Sequence, residues 1–181
     1  MPAAPLAYFI TFTTYGTWLH GRDTGSVDKA HNEVGTPFLP PDGDLEQDSR
    51  GEMSQPPYLL DGPRREIVLK TLLEVANHRR WSLWAVHVRG NHVHAVVSAD
   101  AGPEKVMSDF KAYASRRLKE HFAESADRRR WTQHGSTLYL WTEAEVAAKC
   151  EYVINDQGEP MAVHDGRAAA PELRRPSEPE A

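Results

Sequence analysis

Two histidines separated by one residue stand out in the stretch HVRGNHVHAVV. Side chains two residues apart on a β-strand project from the same face, about 6.5–7 Å from each other. His92 and His94 therefore point the same way, whereas Val93, Ala95 and Val97 form an apolar face suited to a core. Neutral imidazole is the commonest metal ligand in proteins. The pair predicts a binding site for one cation.

A helical segment near the C-terminus offers a third ligand and a nucleophile. Tyr152 and Asp156 are four residues apart, so they share a helix face with Cβ atoms about 5–6 Å apart. Gln157 lies about 140° from Tyr152 around an ideal helix and reaches the same site only if the last turn loosens before Gly158. A tyrosine beside a divalent cation is a candidate nucleophile toward phosphorus. The combination predicts cleavage of a nucleic-acid backbone through a phosphotyrosine intermediate.

The elements that must position these residues follow from the patterning of the chain. The predicted elements are a strand over 7–19, a helix over 62–80, strands over 81–88 and 92–97, a helix over 103–122, a strand over 136–141 and a helix over 142–158. This order, β-α-β-β-α-β followed by a helix, predicts an α+β fold with a ferredoxin-like antiparallel sheet and a C-terminal helix that carries the tyrosine. Two helices cover one sheet face in such a fold, so we expect His92 and His94 on the other, uncovered face.

The domain organisation follows from composition. Residues 1–160 are predicted to form a single domain, because 181 residues suffice for one core with irregular extensions. Residues 21–62 are rich in Pro, Gly and Asp and are predicted to be a long loop or insertion. Residues 161–181 are rich in Ala, Pro and charged residues and are predicted to form a disordered tail.

Charge and cysteine content limit the class of protein. The net charge of −5 is unevenly spread: residues 63–157 carry a balance of +3, against −6 for residues 1–62. The basic residues thus lie where the elements are, which is compatible with DNA or RNA as a partner. A single cysteine, the lack of a recognisable secretory signal and the lack of a membrane-length apolar run predict a cytoplasmic location with no membrane partner.

Five segments of the chain resemble a known family. They are TFTTYGTWLHG, RGNHVHAVV, FKAYASRRL, and HGSTLYLW followed by EYVINDQGEPM. Together they resemble the HUH-type single-tyrosine transposases of the IS200/IS605-like superfamily, which includes the REP-associated tyrosine transposases. The resemblance covers residues 7 to 161. The NDQGEPM stretch departs from the Asn-Pro turn common in REP-associated members.

The resemblance implies a metal-dependent enzyme that binds single-stranded DNA, often folded as an imperfect hairpin. It implies Mg²⁺ or Mn²⁺ held by His92, His94 and a further polar residue, and Tyr152 as a nucleophile that forms a 5′-phosphotyrosine and frees a 3′-OH. No nucleotide cofactor is expected. Family members use Gln or Asn four residues after the tyrosine; here Gln157 matches the residue type and Asp156 the spacing, and we favour Gln157. The resemblance leaves open a homodimer whose sites are completed by helix exchange.

Four basic residues are candidate DNA-phosphate contacts: Arg89, Lys111, Arg116 and Arg117. Solvated helix faces are an equally simple interpretation of these charges. His87 has no assigned role. Two other functions stay open from the sequence: a DNA- or RNA-hairpin-binding regulator that no longer cleaves, and a metal-dependent phosphodiesterase that uses water, with Tyr152 only structural.

Overall fold

The computed structural model describes residues 4–17 and 53–169. The strands are β1 (Ala7–Thr13), β2 (Ser82–Val88), β3 (His92–Ser98), β4 (Ser136–Leu140) and β5 (Ala162–Asp165). The helices are α1 (Gly62–Arg79), α2 (Pro103–Phe122) and α3 (Glu143–Asn155), and a 3₁₀ turn follows at Arg167–Ala169. All five strands form one antiparallel sheet in the order β4-β1-β3-β2-β5. The predicted α+β, ferredoxin-like fold is confirmed.

One face of the sheet carries the main hydrophobic core. Val93, Ala95 and Val97 of β3 are fully buried there, as the alternation in HVHAVV predicts. The helices α1 and α2 pack on this face, with Leu72 and Phe110 completely excluded from solvent. Because successive strand side chains alternate, His92 and His94 must project from the opposite face.

The opposite face is not left open, which differs from the expectation. The helix α3 packs on it through Val146, Cys150 and Val153, which lie one turn apart and bury against Phe9 and Trp84 in a second, smaller cluster. The apolar stripe of α3 requires a partner, and the sheet beside the imidazoles supplies one.

The start of α3 is set by a capping box between Thr142 and Glu145. The hydroxyl of Thr142 accepts from the backbone N–H of Glu145, whose carboxylate accepts in return from the N–H of Thr142. The helix therefore begins at a fixed residue and presents a fixed face to the sheet.

The tail prediction is wrong for its first residues, because Ala162–Asp165 form β5. This strand pairs with β2 in antiparallel register, with Val88 opposite Ala162 and His87 opposite Val163. Backbone pairing to an available sheet edge holds so short a strand, and composition does not reveal such pairing. Residues 170–181 lie outside the described residues.

Most of the predicted long loop, residues 21–52, also lies outside the described residues. Its last part runs extended, with the Tyr58 and Leu60 side chains buried in the main core. The N–H of Leu60 donates to the carbonyl of Gly90 at 2.8 Å, which ties this segment to the β2–β3 turn.

Truncation of Val153 tests the docking of α3. Val153→Ala is expected to lower the free energy of unfolding by about 2 kcal/mol, because it removes two buried methyl groups and leaves a gap under the helix. Leu59→Ala is the matched control: Leu59 is 63% exposed, and its truncation is expected to change stability by less than about 0.5 kcal/mol. Urea denaturation of both variants measures the difference, and equal effects would contradict the assigned packing.

Candidate active site

The paired imidazoles lie side by side at the centre of the sheet. Their ring centroids are 4.7 Å apart, and each Nδ1 has a fixed partner. His92 Nδ1 lies 2.7 Å from Asn91 Oδ1, and His94 Nδ1 lies 2.7 Å from Thr11 Oγ1 on the adjacent strand. An amide oxygen only accepts, so His92 carries its proton on Nδ1 and keeps the Nε2 lone pair. The Thr11 hydroxyl can accept in the same way from His94.

Both imidazoles are held in the neutral form. Burial lowers the pKa of His92 to about 4, and the positive charge of Arg89 adds to the effect. Burial lowers the pKa of His94 to about 3, with the neighbouring His92 as the next cause. Hydrogen bonding from Gln157 acts in the opposite direction on both rings. Neutral imidazoles with available Nε2 atoms are the form that binds a metal.

Tyr152 lies beside this pair. Its ring centroid is 5.8 Å from that of His94 and 5.9 Å from that of Phe9, edge to face in both cases. Phe9 also stacks on His94 at 5.5 Å, so the three rings form one packed group. Tyr152 nevertheless keeps 38% of its surface exposed. A substrate from solvent can therefore reach the phenol.

A lysine one turn earlier on α3 adds a positive charge to the group. The ammonium nitrogen of Lys149 lies 5.0 Å from the centre of the Phe9 ring and 5.4 Å from that of Tyr152. Both distances are within the range of a cation–π interaction. Lys149 thus places a cation next to the phenol, where an anionic substrate group would be attracted.

The two candidates for a third ligand occupy different environments. The helix ends at Asn155, and Asp156 follows with φ −99° and ψ 15°, so the last turn does loosen before Gly158. The side-chain amide of Gln157 donates to the Tyr152 carbonyl at 3.4 Å, and it lies close enough to His92 and His94 to act on the pKa of both rings. Asp156 is exposed at the end of the helix. The structure therefore brings Gln157 to the imidazoles.

The donor set at this site fits a divalent cation. Two neutral imidazoles and one side-chain amide converge, and the Nδ1 contacts to Asn91 and Thr11 orient the rings as ligand-supporting groups do. Within residues 4–17 and 53–169, no group of three or more His, Cys, Asp and Glu side chains is arranged to hold a metal. The set of candidate ligands at this site is His92, His94 and Gln157. It is not a group of that kind, because its third member is an amide.

The structure separates three of the four predicted DNA contacts from this site. Lys111, Arg116 and Arg117 belong to α2, on the other face of the sheet. Lys111 donates to the carbonyls of Thr132 and His134, and burial lowers its pKa to about 8. These three remain predictions as DNA ligands.

The three arginines among the predicted DNA contacts also interact with other residues of the chain. Arg117 pairs with Glu74 at 3.0 Å, and the guanidinium of Arg116 lies 5.2 Å from the ring centre of Tyr113. Arg89, at the end of β2, donates to the carbonyl of Glu159 at 3.1 Å. Its side chain thus contacts the segment that follows α3, and its role toward DNA also remains a prediction.

Sequence reasoning missed three members of the site: Thr11, Asn91 and Lys149. Strand pairing brings Thr11 opposite His94, and only the register reveals this. Asn91 directly precedes His92, and this adjacency permits the contact. Lys149 could have been found from its helical spacing, because it precedes Tyr152 by three residues on the same face.

The fold and the site together define a class of protein: a ferredoxin-like α+β domain with paired imidazoles beside an accessible tyrosine on a late helix. Residues 58–155, more than half of the chain, match the family model described as "Transposase IS200 like". The chain belongs to this family of IS200-like transposases. His92, His94 and Tyr152 fall inside the matched range, and Gln157 falls just beyond it.

Two solved structures are similar in arrangement. A REP-associated tyrosine transposase bound to a REP hairpin is 8% identical, with a TM-score of 0.45 over 86% of this chain and 69% of that chain. A candidate transposase from Deinococcus radiodurans R1 is 14% identical, with a TM-score of 0.44 over 86% of this chain and 93% of that chain. No curated protein matches the sequence. Family membership thus rests on the family model.

The described helices include none that is long and apolar enough to cross a membrane.

The lowered pKa values of His92 and His94 predict a pH-dependent stability. The unfolded chain takes up protons below pH 6.5 while the folded imidazoles resist protonation, so stability is complete above that pH and is lost as pH falls toward 4. In buffer that contains a chelator, we expect the free energy of unfolding of the wild type to fall between pH 7.5 and 5.5. This fall is expected to be about 2 kcal/mol larger than that of the His92→Gln/His94→Gln variant. Denaturant titrations measure this, and equal losses would contradict the neutral state.

Proposed function

We propose that this transposase cuts and rejoins single-stranded DNA with Tyr152 as the nucleophile. The observation that supports the proposal is the partly exposed phenol, which packs against His94 of the paired imidazoles. All four side chains, the two imidazoles, Gln157 and Tyr152, come from one chain in the structure, which supports a site formed without helix exchange. A homodimer remains a prediction, as does a cytoplasmic location.

The proposed reaction keeps the number of phosphodiester bonds constant, because each bond that breaks is replaced by a new one. The Tyr152 oxygen attacks the scissile phosphorus and loses its proton to solvent, while the bond from phosphorus to the 3′-oxygen breaks and that oxygen takes up a proton. The products are a 5′-phosphotyrosine and a free 3′-OH. The reverse attack by a 3′-OH rejoins strands, so no nucleotide cofactor is required.

The residues of the chain contribute mainly by positioning. Packing against Phe9 and His94 limits the orientations of the phenol, which reduces the entropy lost on reaching the reactive geometry. Lys149 would attract the phosphate toward the phenol. His92, His94 and Gln157 would hold Mg²⁺ or Mn²⁺, and the bound ion would supply stabilisation of charge on the phosphate oxygens.

The form of the DNA is inferred from the family resemblance. We propose a single strand folded as an imperfect hairpin, with Arg116 as an exposed candidate for a phosphate contact. The DNA flanking the gene that encodes this protein is the natural first substrate to test.

Replacement of the phenol oxygen tests the nucleophile. Tyr152→Phe is expected to abolish the covalent protein–DNA complex formed with flanking single-stranded DNA and Mn²⁺, because the attacking atom is gone. Hairpin binding should stay within about twofold, because ring packing is retained. Denaturing gels detect the complex, and gel shifts measure binding.

The wild-type outcome separates the alternatives. Hydrolysed ends with no covalent complex would favour a phosphodiesterase that uses water, and binding without any cut would favour a hairpin-binding regulator. A covalent complex that persists in Tyr152→Phe would eliminate Tyr152 as the nucleophile.

Two adjacent residues provide a matched test of the third ligand. Gln157→Ala is expected to raise the Mn²⁺ concentration for half-maximal cleavage about tenfold or more, because an oxygen ligand is lost. Asp156→Ala, one position away and exposed, is expected to change it by less than about twofold. Isothermal titration with Mn²⁺ in the absence of DNA gives an independent readout. The reverse ranking would assign the ligand to Asp156.

A further inference from the structure

The segment that carries Gln157 is held to the sheet by residues beside the imidazole pair, since His87 of β2 is the register partner of His94. Residues 156–161 connect α3 to β5, and Gly158 within it adopts φ +77°. Such a connection has few backbone partners of its own. Its position depends on what anchors its two ends.

His87 contacts both ends of this segment. Its Nδ1 lies 3.1 Å from the Val153 carbonyl on α3, and its Nε2 accepts from the Met161 N–H at 3.2 Å. A backbone N–H can only donate, so Nε2 carries the lone pair. Nδ1 therefore carries the proton and donates a hydrogen bond to the Val153 carbonyl. Both nitrogens of one fully buried imidazole are therefore used to join the end of α3 to the start of β5.

The hydrogen bond from His87 to the Val153 carbonyl matters because this carbonyl lies in the last turn of α3. The last four carbonyls of a helix have no partner within the helix. The Val153 carbonyl is one of them, since α3 ends two residues later at Asn155. A donor from the sheet satisfies it, and this fixes the last turn of the tyrosine helix relative to β2.

Arg89 provides a third anchor from the residue that follows β2. One of its guanidinium nitrogens lies 3.5 Å from His87 Nε2, so the two side chains are neighbours. Its guanidinium donates to the Glu159 carbonyl at 3.1 Å, in the middle of the connecting segment. His87 of β2 and Arg89 after it thus contact the last turn of α3, the centre of the segment and its last residue.

We propose that His87 and Arg89 are positioning residues that hold Gln157, and the helix turn bearing Tyr152, against His92 and His94. Neither touches the substrate in this role; they act through the segment 156–161. The proposal deepens the proposed function. Its predicted effect on cleavage rests on that function, whereas its predicted effect on the position of residues 156–161 does not.

Hydrogen exchange on the metal-free, DNA-free protein tests the structural part directly. In His87→Ala, the amides of residues 156–161 are expected to exchange at least tenfold faster than in the wild type, because both anchors are lost together. Val86→Ala is the matched control: it is the neighbouring residue, fully buried on the opposite face, and its truncation lowers stability without touching the segment. His87→Asn keeps a donor near the Nδ1 position and is expected to recover part of the protection.

Mn²⁺ titration tests the consequence for the site. His87→Ala is expected to raise the midpoint for Mn²⁺ binding and for covalent-complex formation about tenfold, with hairpin affinity within twofold. Unchanged exchange and unchanged midpoints in His87→Ala would overturn the proposal. Equal changes in Val86→Ala would also overturn it, because general destabilisation would then explain them. If the wild type forms no covalent complex, the proposed function fails, and the exchange result decides the positioning role alone.

Arg89→Met covers the case in which His87→Ala does not fold. Loss of the anchor predicts faster exchange at residues 158–161 and a raised Mn²⁺ midpoint. A contact with DNA phosphate predicts instead a weaker, less salt-dependent hairpin affinity with exchange unchanged. The second pattern would overturn the positioning role of Arg89.

Discussion

The burial of one face of α3 on the sheet is the interaction on which the site depends. Val146, Cys150 and Val153 form an apolar stripe that packs on Phe9 and Trp84. A helix held in this way can present Tyr152, next to Val153, only along the edge of the contact. The phenol is therefore packed on one side by Phe9 and His94 and open to solvent on the other. Stability and accessibility come from the same packing.

The main architecture was predictable because each element has a strong local pattern. Alternation in HVHAVV identified the buried and imidazole faces of β3. β5 escaped prediction, since four residues that pair with an existing edge need no hydrophobic pattern of their own. The covering of the imidazole face by α3 was also missed, because spacing along a helix does not say which surface it will meet.

The candidate site was predictable to a similar degree. Spacing identified His92, His94 and Tyr152, and it restricted the third ligand to two neighbours. Spacing could not choose between Asp156 and Gln157, because the choice depends on where the last helical turn opens. The residues that orient the imidazoles, Thr11 and Asn91, required the strand register and the side-chain conformation. Sequence thus indicates the candidate reacting groups better than the groups that contact them.

The edge strand β5 changes where the functional unit ends. The range that matches the family model stops at residue 155, three residues after Tyr152. A shortened chain cut at that boundary would keep Tyr152, the proposed nucleophile, and both imidazoles, but it would lack Gln157 and the strand that follows it. The sheet therefore extends through Asp165, ten residues beyond the matched range.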